Sequence, residues 1–251
     1  MMHQSPLRSA VTPMDTIGCA IENECRCGRL LDCSGSRGAI DDRNSRTMQR
    51  GDSLFRCGDR IHHLYVVRTG AFKSFALDES GCEHVLGFHL PGDTMGMDAL
   101  GRGVADTNLV SLDTSRVCVI AVERLMERAR ESRDRMTELC AGLYSEMQRL
   151  RGQVQMDRRS ADERLAVFLL AYSGNLCRRG RSPLEFSLPM SRRDLASFLG
   201  IASETMSRLF ARFQALELVE AKRNRIRLLD PERLSEMAGE PCAEAPPGLC
   251  A

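Results

Sequence analysis

Lysine is nearly missing from this chain: Lys73 and Lys222 are the only two among 35 basic residues. The positive charge therefore sits on arginine, whose planar fork suits phosphates, carboxylates and guanine edges. Long apolar runs are missing too. No stretch approaches a membrane span, and no basic n-region with an apolar core opens the sequence, so a cytoplasmic protein without a membrane partner is expected. Histidine is scarce, and His3, His62, His63, His84 and His89 form no metal or triad motif. The usual signatures of an enzyme are therefore absent. Net charge is only +1, so any partner chosen by charge must meet a local patch.

What is present fits a globular chain. Its 251 residues, 43% hydrophobic and 27% charged, allow one large domain or two ordinary ones with a real core. Eleven cysteines are an odd count, and in a reducing compartment they are not a disulfide framework. Four of them crowd into CAIENECRCGRLLDC, residues 19–33: Cys19, Cys25, Cys27 and Cys33. Such a cluster means metal, redox chemistry or chance. The scattered ones, Cys57, Cys82, Cys118, Cys140, Cys177, Cys242 and Cys250, read most simply as small buried hydrophobes or tail thiols.

The chain divides by its periodicity. Residues 1–49 form a cysteine-rich segment that ends in the polar, aperiodic SGSRGAIDDRNSRTMQR, expected to be a flexible loop. In residues 50–121, Gly51, Gly58, Gly70, Gly81, Gly92 and Gly103 punctuate the runs LYVVR, AFKSFAL, EHVLGFHL, NLVSL and RVCVIAV. Short, partly alternating runs rich in β-branched and aromatic residues predict a small β-roll of the jelly-roll kind. Residues 122–157 then turn helical. Met136, Cys140, Leu143, Met147, Leu150 and Val154 alternate steps of four and three, an apolar heptad seam along which two copies could zip into a homodimer. The alternative is an amphipathic helix lying on its own β domain. Length favours the dimer, because roughly 30 residues make a helix of about 45 Å, which overruns so small a roll.

Residues 158–230 carry a third pattern. ADERLAVFLLAYSGNL reads as an amphipathic helix and EFSLPM as a short extended piece. Ser191 and Asp194 make a capping box that opens a second helix, Gly200 ends it, and Ser203 sits where a further cap belongs. In the helix that follows, Leu209, Phe210 and Phe213 mark the buried face, while Glu204, Ser207 and Arg208 point away from it. Two helices joined by a tight glycine turn are a helix-turn-helix. ELVEAKRNRIRLL adds a hairpin with a basic tip. Residues 186–230 hold eight basic and five acidic residues, a modest excess that suits nucleic acid. In such a motif the first turns of the second helix enter the major groove, where arginine reads guanine and glutamate reads cytosine. Glutamate is repelled by phosphate, so Glu204 is a poor choice there for mere affinity and a sensible one for reading a base, a reading preferred to a structural role. Residues 231–251 read as a short helix and a frayed tail without a role. The whole is expected to be α+β.

In this order, the stretches LFRCGDRIHHLYVVRTGAFKS, GFHLPGDTMGMDALG, ADERLA and SETMSRLFARFQ resemble the CRP/FNR family of bacterial transcription regulators, and within it the oxygen-responsive FNR branch. The resemblance runs from Cys19 to Asp230. It implies a homodimer that binds two-fold symmetric double-stranded DNA and contacts RNA polymerase. The E-x-x-S-R pattern of Glu204, Ser207 and Arg208, with Ser203 beside it, implies recognition of TTGAT-type half-sites. Members that bind cyclic nucleotides carry an arginine in a phosphate cassette, but GDTMGMDALG, residues 92–101, has none before Arg102. A dianion buried without a cation is costly, so cyclic AMP is rejected as the ligand.

The FNR branch implies a [4Fe-4S] cluster held by three N-terminal cysteines and one from the β-roll. Cys27 and Cys33 match its C-x5-C spacing, and Cys118 matches the distant ligand. The third N-terminal position departs from the family: C-x-C-x5-C stands where C-x2-C-x5-C is usual. Cys25 and Cys19 compete for that place, with Cys25 preferred because the loop from it to Cys33 is compact. The segment between Cys33 and Gly51 is also shorter than is usual in the family. A structural Zn²⁺ on four thiolates, a metal-free thiol switch on Cys25 or Cys27 beside Arg26 and Arg29, and a regulator that no longer senses oxygen remain as alternatives.

Overall fold

The computed structural model describes residues 45–156 and 158–239. Eight strands build the β-roll: β1 (Ser45–Met48), β2 (Ser53–Phe55), β3 (His63–Thr69), β4 (Phe72–Leu77), β5 (Glu83–His89), β6 (Thr94–Met95), β7 (Asn108–Ser111) and β8 (Ser115–Ala121). They pair as two sheets, β1-β8-β3-β6 and β2-β7-β4-β5. Met48, Phe55, Val67, Phe72, Leu109 and Val117 fill the space between them. Strand β1 corrects the expectation of a flexible loop at its own residues. Only Met48 of its four is buried, so pairing with β8 defines this strand and its own pattern does not.

Side chains alternate across a strand, and β8 uses both faces. Val117 enters the inter-sheet core, whereas Cys118 and Ile120 join Leu64, Val66 and Leu125 in a separate apolar layer outside the first sheet. Leu125 belongs to α1 (Val122–Glu131), which covers that layer. The helical stretch breaks at Ser132 before α2 (Arg133–Met156). Ser132 has extended backbone and its Oγ accepts from the Arg135 amide at 3.2 Å, an N-cap for a new helix. The single long helix expected from the sequence is therefore two, and α2 at 24 residues is about 36 Å long.

Helices α3 (Ala161–Arg178), α4 (Arg192–Phe198), α5 (Ser203–Ala215) and α6 (Pro231–Met237), with strands β9 (Glu185–Ser187), β10 (Val219–Lys222) and β11 (Arg225–Leu228), form the second unit. Capping boxes open α3, through Ser160 and Glu163, and α4, through Ser191 and Asp194. Leu165, Leu169, Leu195, Met206, Phe213 and Leu234 fill its core. The short helix expected after Asp230 is α6, which buries Leu234.

The two units are joined by a shared core and a buried cation. Ala71, Leu90 and Leu112 of the β-roll belong to the core of the helical unit, and the Phe88 and Phe198 rings meet at a 58° tilt with centroids 5.1 Å apart. Lys73, 9% exposed, donates to Glu83 at 2.5 Å and to Asp194 of α4 at 2.7 Å. Burial alone would depress this ammonium's pKa, but the bonds to Asp194 and Glu83 outweigh it and hold the pKa above its ordinary value. Ser197 of α4 completes the seam: its Oγ accepts from the Val85 amide at 3.0 Å and donates to the Glu83 carbonyl at 3.2 Å.

Candidate nucleic-acid interface

Helix α5 separates its side chains cleanly. Met206, Leu209, Phe210 and Phe213 are buried, and Ser203, Glu204, Ser207 and Arg208 are exposed on the other side. Arg208 Nη2 donates to Thr205 Oγ1 at 3.1 Å, and Ser207 Oγ donates to the Ser203 carbonyl at 3.2 Å. Ser203 is the first residue of the helix, and the cap position falls on Ala202, which has no side-chain bond to offer. The expected Ser203 cap is therefore displaced by one residue.

The turn before α5 needs its glycine. Gly200 has φ +62°, a left-handed conformation costly for other residues, and Arg164 Nη1 lies 3.1 Å from where a Cβ would stand. The same Arg164 nitrogen donates to the Leu199 carbonyl at 2.8 Å, so α3 clamps the turn. Arg212 adds an ion pair to Asp162 at 3.0 Å, tying α5 to the start of α3. The hairpin β10–β11, with β9 alongside, forms the wing. Lys222, Arg223 and Arg225 are exposed at its tip. Sequence reasoning passed over Arg192, whose guanidinium carbon lies 3.1 Å over the Phe210 ring; the only signal was an arginine at the first position of a capped helix.

On α2, Met136, Cys140, Leu143 and Met147 are all exposed in the single chain. Tyr144, not singled out from the sequence, is 55% exposed next to them. The side chains of Leu150 and Val154 lie outside the described residues. Exposure of this row is the opposite of what a helix laid on its own β domain would show. The early part of α2 touches the roll through Leu139, which packs on the layer around Cys118.

Cys118 is 1% exposed, and its register partner on β1 is Ser45. Cys19, Cys25, Cys27 and Cys33 lie outside the described residues, and no group of three or more potential metal ligands occurs within them. In the loop that matches the nucleotide cassette, the Asp98 carboxylate accepts from the Asp106 amide at 3.0 Å. Arg102 is turned outward against Asp106, with its side chain 77% exposed. The described loop thus presents carboxylates, a poor setting for a phosphate dianion.

Comparison with known proteins agrees with this architecture. Residues 45–132 match the cyclic nucleotide-binding domain model, and residues 163–237 match the Crp-like helix-turn-helix domain model. The chain is 38% identical over 208 residues to the transcriptional activator protein Anr of Pseudomonas protegens, covering 80% of this chain and 84% of that one. It is 36% identical over 201 residues to the fumarate and nitrate reduction regulatory protein of Escherichia coli, covering 76% and 77%. The solved structure of FixK2 from Bradyrhizobium japonicum superposes with a TM-score of 0.70 at 25% identity, covering 77% of this chain and 96% of that one. No helix among the described residues is long and apolar enough to cross a membrane. A β-roll bonded to a winged helix-turn-helix, at this level of identity to named transcription activators, means that the chain belongs to the CRP/FNR family of DNA-binding transcription regulators.

Proposed function

We propose that this regulator is a cytoplasmic homodimer that responds to oxygen through a [4Fe-4S] cluster and binds TTGAT-N4-ATCAA-like DNA to control anaerobic or microaerobic genes together with RNA polymerase. The cluster ligands in this reading are Cys27, Cys33, Cys118 and Cys25, with Cys19 as the substitute for Cys25. The position of Cys118 is the observation that carries it. Its thiol sits in the layer under α1 and beside Leu139 of α2, on the strand that pairs with Ser45. Residues 34–44, eleven in number, reach at most about 40 Å when extended, ample for Cys33 to fold back to this layer. The donor set fits the group: thiolates are the usual ligands of such a cluster, and its chemistry is an oxygen-labile bond between them.

The chain's own residues do the rest. Cys118 anchors the N-terminal segment where β8 meets α1, and the packing of Leu125 and Leu139 on that layer passes the constraint to α2. The seam Met136, Cys140, Leu143, Met147, Leu150 and Val154 pairs the two copies. Arg208 bonds a guanine edge, Glu204 accepts from cytosine N4, and Ser207 and Ser203 sit among them at the groove. Because no seam residue is ionised, loss of the cluster leaves the dimer largely intact; a fully monomeric apo form in sedimentation would contradict this.

The test is Cys118→Ser beside Cys57→Ser, each reconstituted without oxygen and assayed for iron and sulfide. The proposal expects the first variant to lose both and the second to keep them. Equal retention by both variants removes Cys118 from the site. The C-x-C spacing favours one second reading, a metal-free thiol switch on Cys25 or Cys27, in which neither variant nor wild type holds iron and DNA binding still follows reductant.

A further inference from the structure

Arg192 opens α4, but its side chain serves two other elements. The guanidinium carbon lies 3.1 Å over the ring of Phe210 on the buried side of α5. Nη2 donates to the Arg223 carbonyl at the wing tip at 3.3 Å. Nη1 is buried without a hydrogen-bond partner among the described residues. Burial lowers the pKa of this arginine to about 10, so it remains a cation at neutral pH. The aromatic face and the carbonyl offset part of its desolvation.

The wing tip needs such a tie. Arg223 holds φ +55°, a left-handed conformation that an L side chain adopts at a cost. Lys222, Arg223 and Arg225 bring three positive charges to the turn, two of them paired locally, Lys222 with Glu220 at 2.6 Å and Arg225 with Glu185 at 3.2 Å. A cavity of about 240 Å³ lies between the turn and the start of α4, lined by Leu188, Met190, Arg192 and Asn224 among others. Near the tip, Leu188 donates its amide to the Asn224 carbonyl at 2.8 Å and Arg192 donates to Arg223, while lower on the wing Ala221 donates its amide to Gln214 Oε1 of α5 at 3.1 Å and Arg225 pairs with Glu185 of β9 at 3.2 Å. The Leu188 bond reaches only the chain leading into α4. The Arg192 bond reaches a side chain seated on the recognition helix.

We infer that Arg192 is a positioning residue for DNA recognition, tying the wing tip to α5 so that the wing cations and the Glu204–Arg208 face meet one duplex together. The inference rests on DNA binding by the helix-turn-helix unit and needs neither the cluster nor the TTGAT sequence. Arg192→Met keeps an apolar stem over Phe210 and removes the donors.

The test measures dissociation constants of the full-length protein over a range of salt, on a TTGAT-N4-ATCAA duplex and on a random one. Arg192→Met is compared in the native background and in one with Lys222, Arg223 and Arg225 all replaced by alanine. In the native background the expected loss is about tenfold, with a salt slope reduced by more than the roughly 0.9 that one phosphate contact contributes. In the wing-neutral background the expected loss is under about twofold, because the residue acts through the wing. An equal loss in both backgrounds, with the slope reduced by one contact, would mean that Arg192 holds a phosphate itself, and no loss in either would mean that it positions nothing; both overturn the inference. If Arg192→Met fails to fold, Arg192→Lys decides. That variant keeps the charge without the fork, so a positioning role predicts a clear loss only with the wing intact, whereas a phosphate contact predicts near-native binding.

Discussion

Helices α2 and α5 each leave a row of side chains exposed at helical spacing, and the two rows are chemically opposite. Met136, Cys140, Leu143 and Met147 on α2 are apolar or nearly so, while Ser203, Glu204, Ser207 and Arg208 on α5 are all polar. An exposed apolar row gains about 25 cal/mol for each Å² it loses to a partner, so it calls for another apolar surface, and a second copy of α2 supplies one. The row on α5 gains nothing from such a cover. Burying Glu204 and Arg208 would cost several kcal/mol unless each met a specific polar partner, and base edges provide that. In the proposed function the contrast separates the two partners: protein along α2, nucleic acid along α5.

Making the rows alike should break the account most severely. Leu143→Arg places a charge in the α2 seam, and the expected result is a monomer in sedimentation with binding to a two-half-site duplex weakened on the order of 100-fold, since the second half-site is no longer tethered. Retained dimers would move the interface elsewhere. Arg208→Ala should cost about 2 kcal/mol on the specific duplex and much less on random DNA, measured by competition titration. An equal cost on both would reduce Arg208 to a phosphate contact.

Lys73→Met sharpens the comparison without touching either row, because Lys73 bonds α4 to the β-roll through Asp194 and Glu83. The expected loss in thermal stability is about 1–2 kcal/mol, discounted because the Glu83 side chain is 47% exposed. Its pH dependence follows from the shifts. Asp194 is half-buried, which alone would raise its pKa, yet the Lys73 and Ser191 bonds hold it below the ordinary value. Its contribution is therefore present above the aspartate range and lost as pH falls through it. Lys73, shifted upward, stays charged throughout that interval. The gap between wild type and variant should narrow on acidification, and a gap that widens contradicts the latch. Smallest of all, Ser203→Ala should change helix stability by less than about 0.5 kcal/mol, because Ser203 is not the cap.

Much of this was readable from sequence where the pattern is local. Leu209, Phe210 and Phe213 declare the buried face of α5, and Ser191 with Asp194 declares the start of α4. The β-roll followed from short alternating runs between glycines. What escaped depends on distant partners. Alternation along β8 could not tell which face receives α1, although it did read Cys118 as buried, as the structure has it. β1 has a polar sequence whose register comes from β8. The break at Ser132 was obscured by continuous helical propensity, although E-S-R-D carries a cap signal. Lys73 and Asp194 stand 121 positions apart, and nothing in either neighbourhood announces the other.

The central claim, an oxygen-labile cluster that governs DNA affinity, is tested most directly on protein purified or reconstituted without oxygen. Iron and sulfide per chain, the visible spectrum and binding to the TTGAT-N4-ATCAA duplex are measured before and after air. The account predicts about four irons and four sulfides per chain, bleaching in air and weakened binding. Iron-free protein whose binding ignores air would contradict it and leave a dimeric regulator whose cysteine-rich segment serves another purpose.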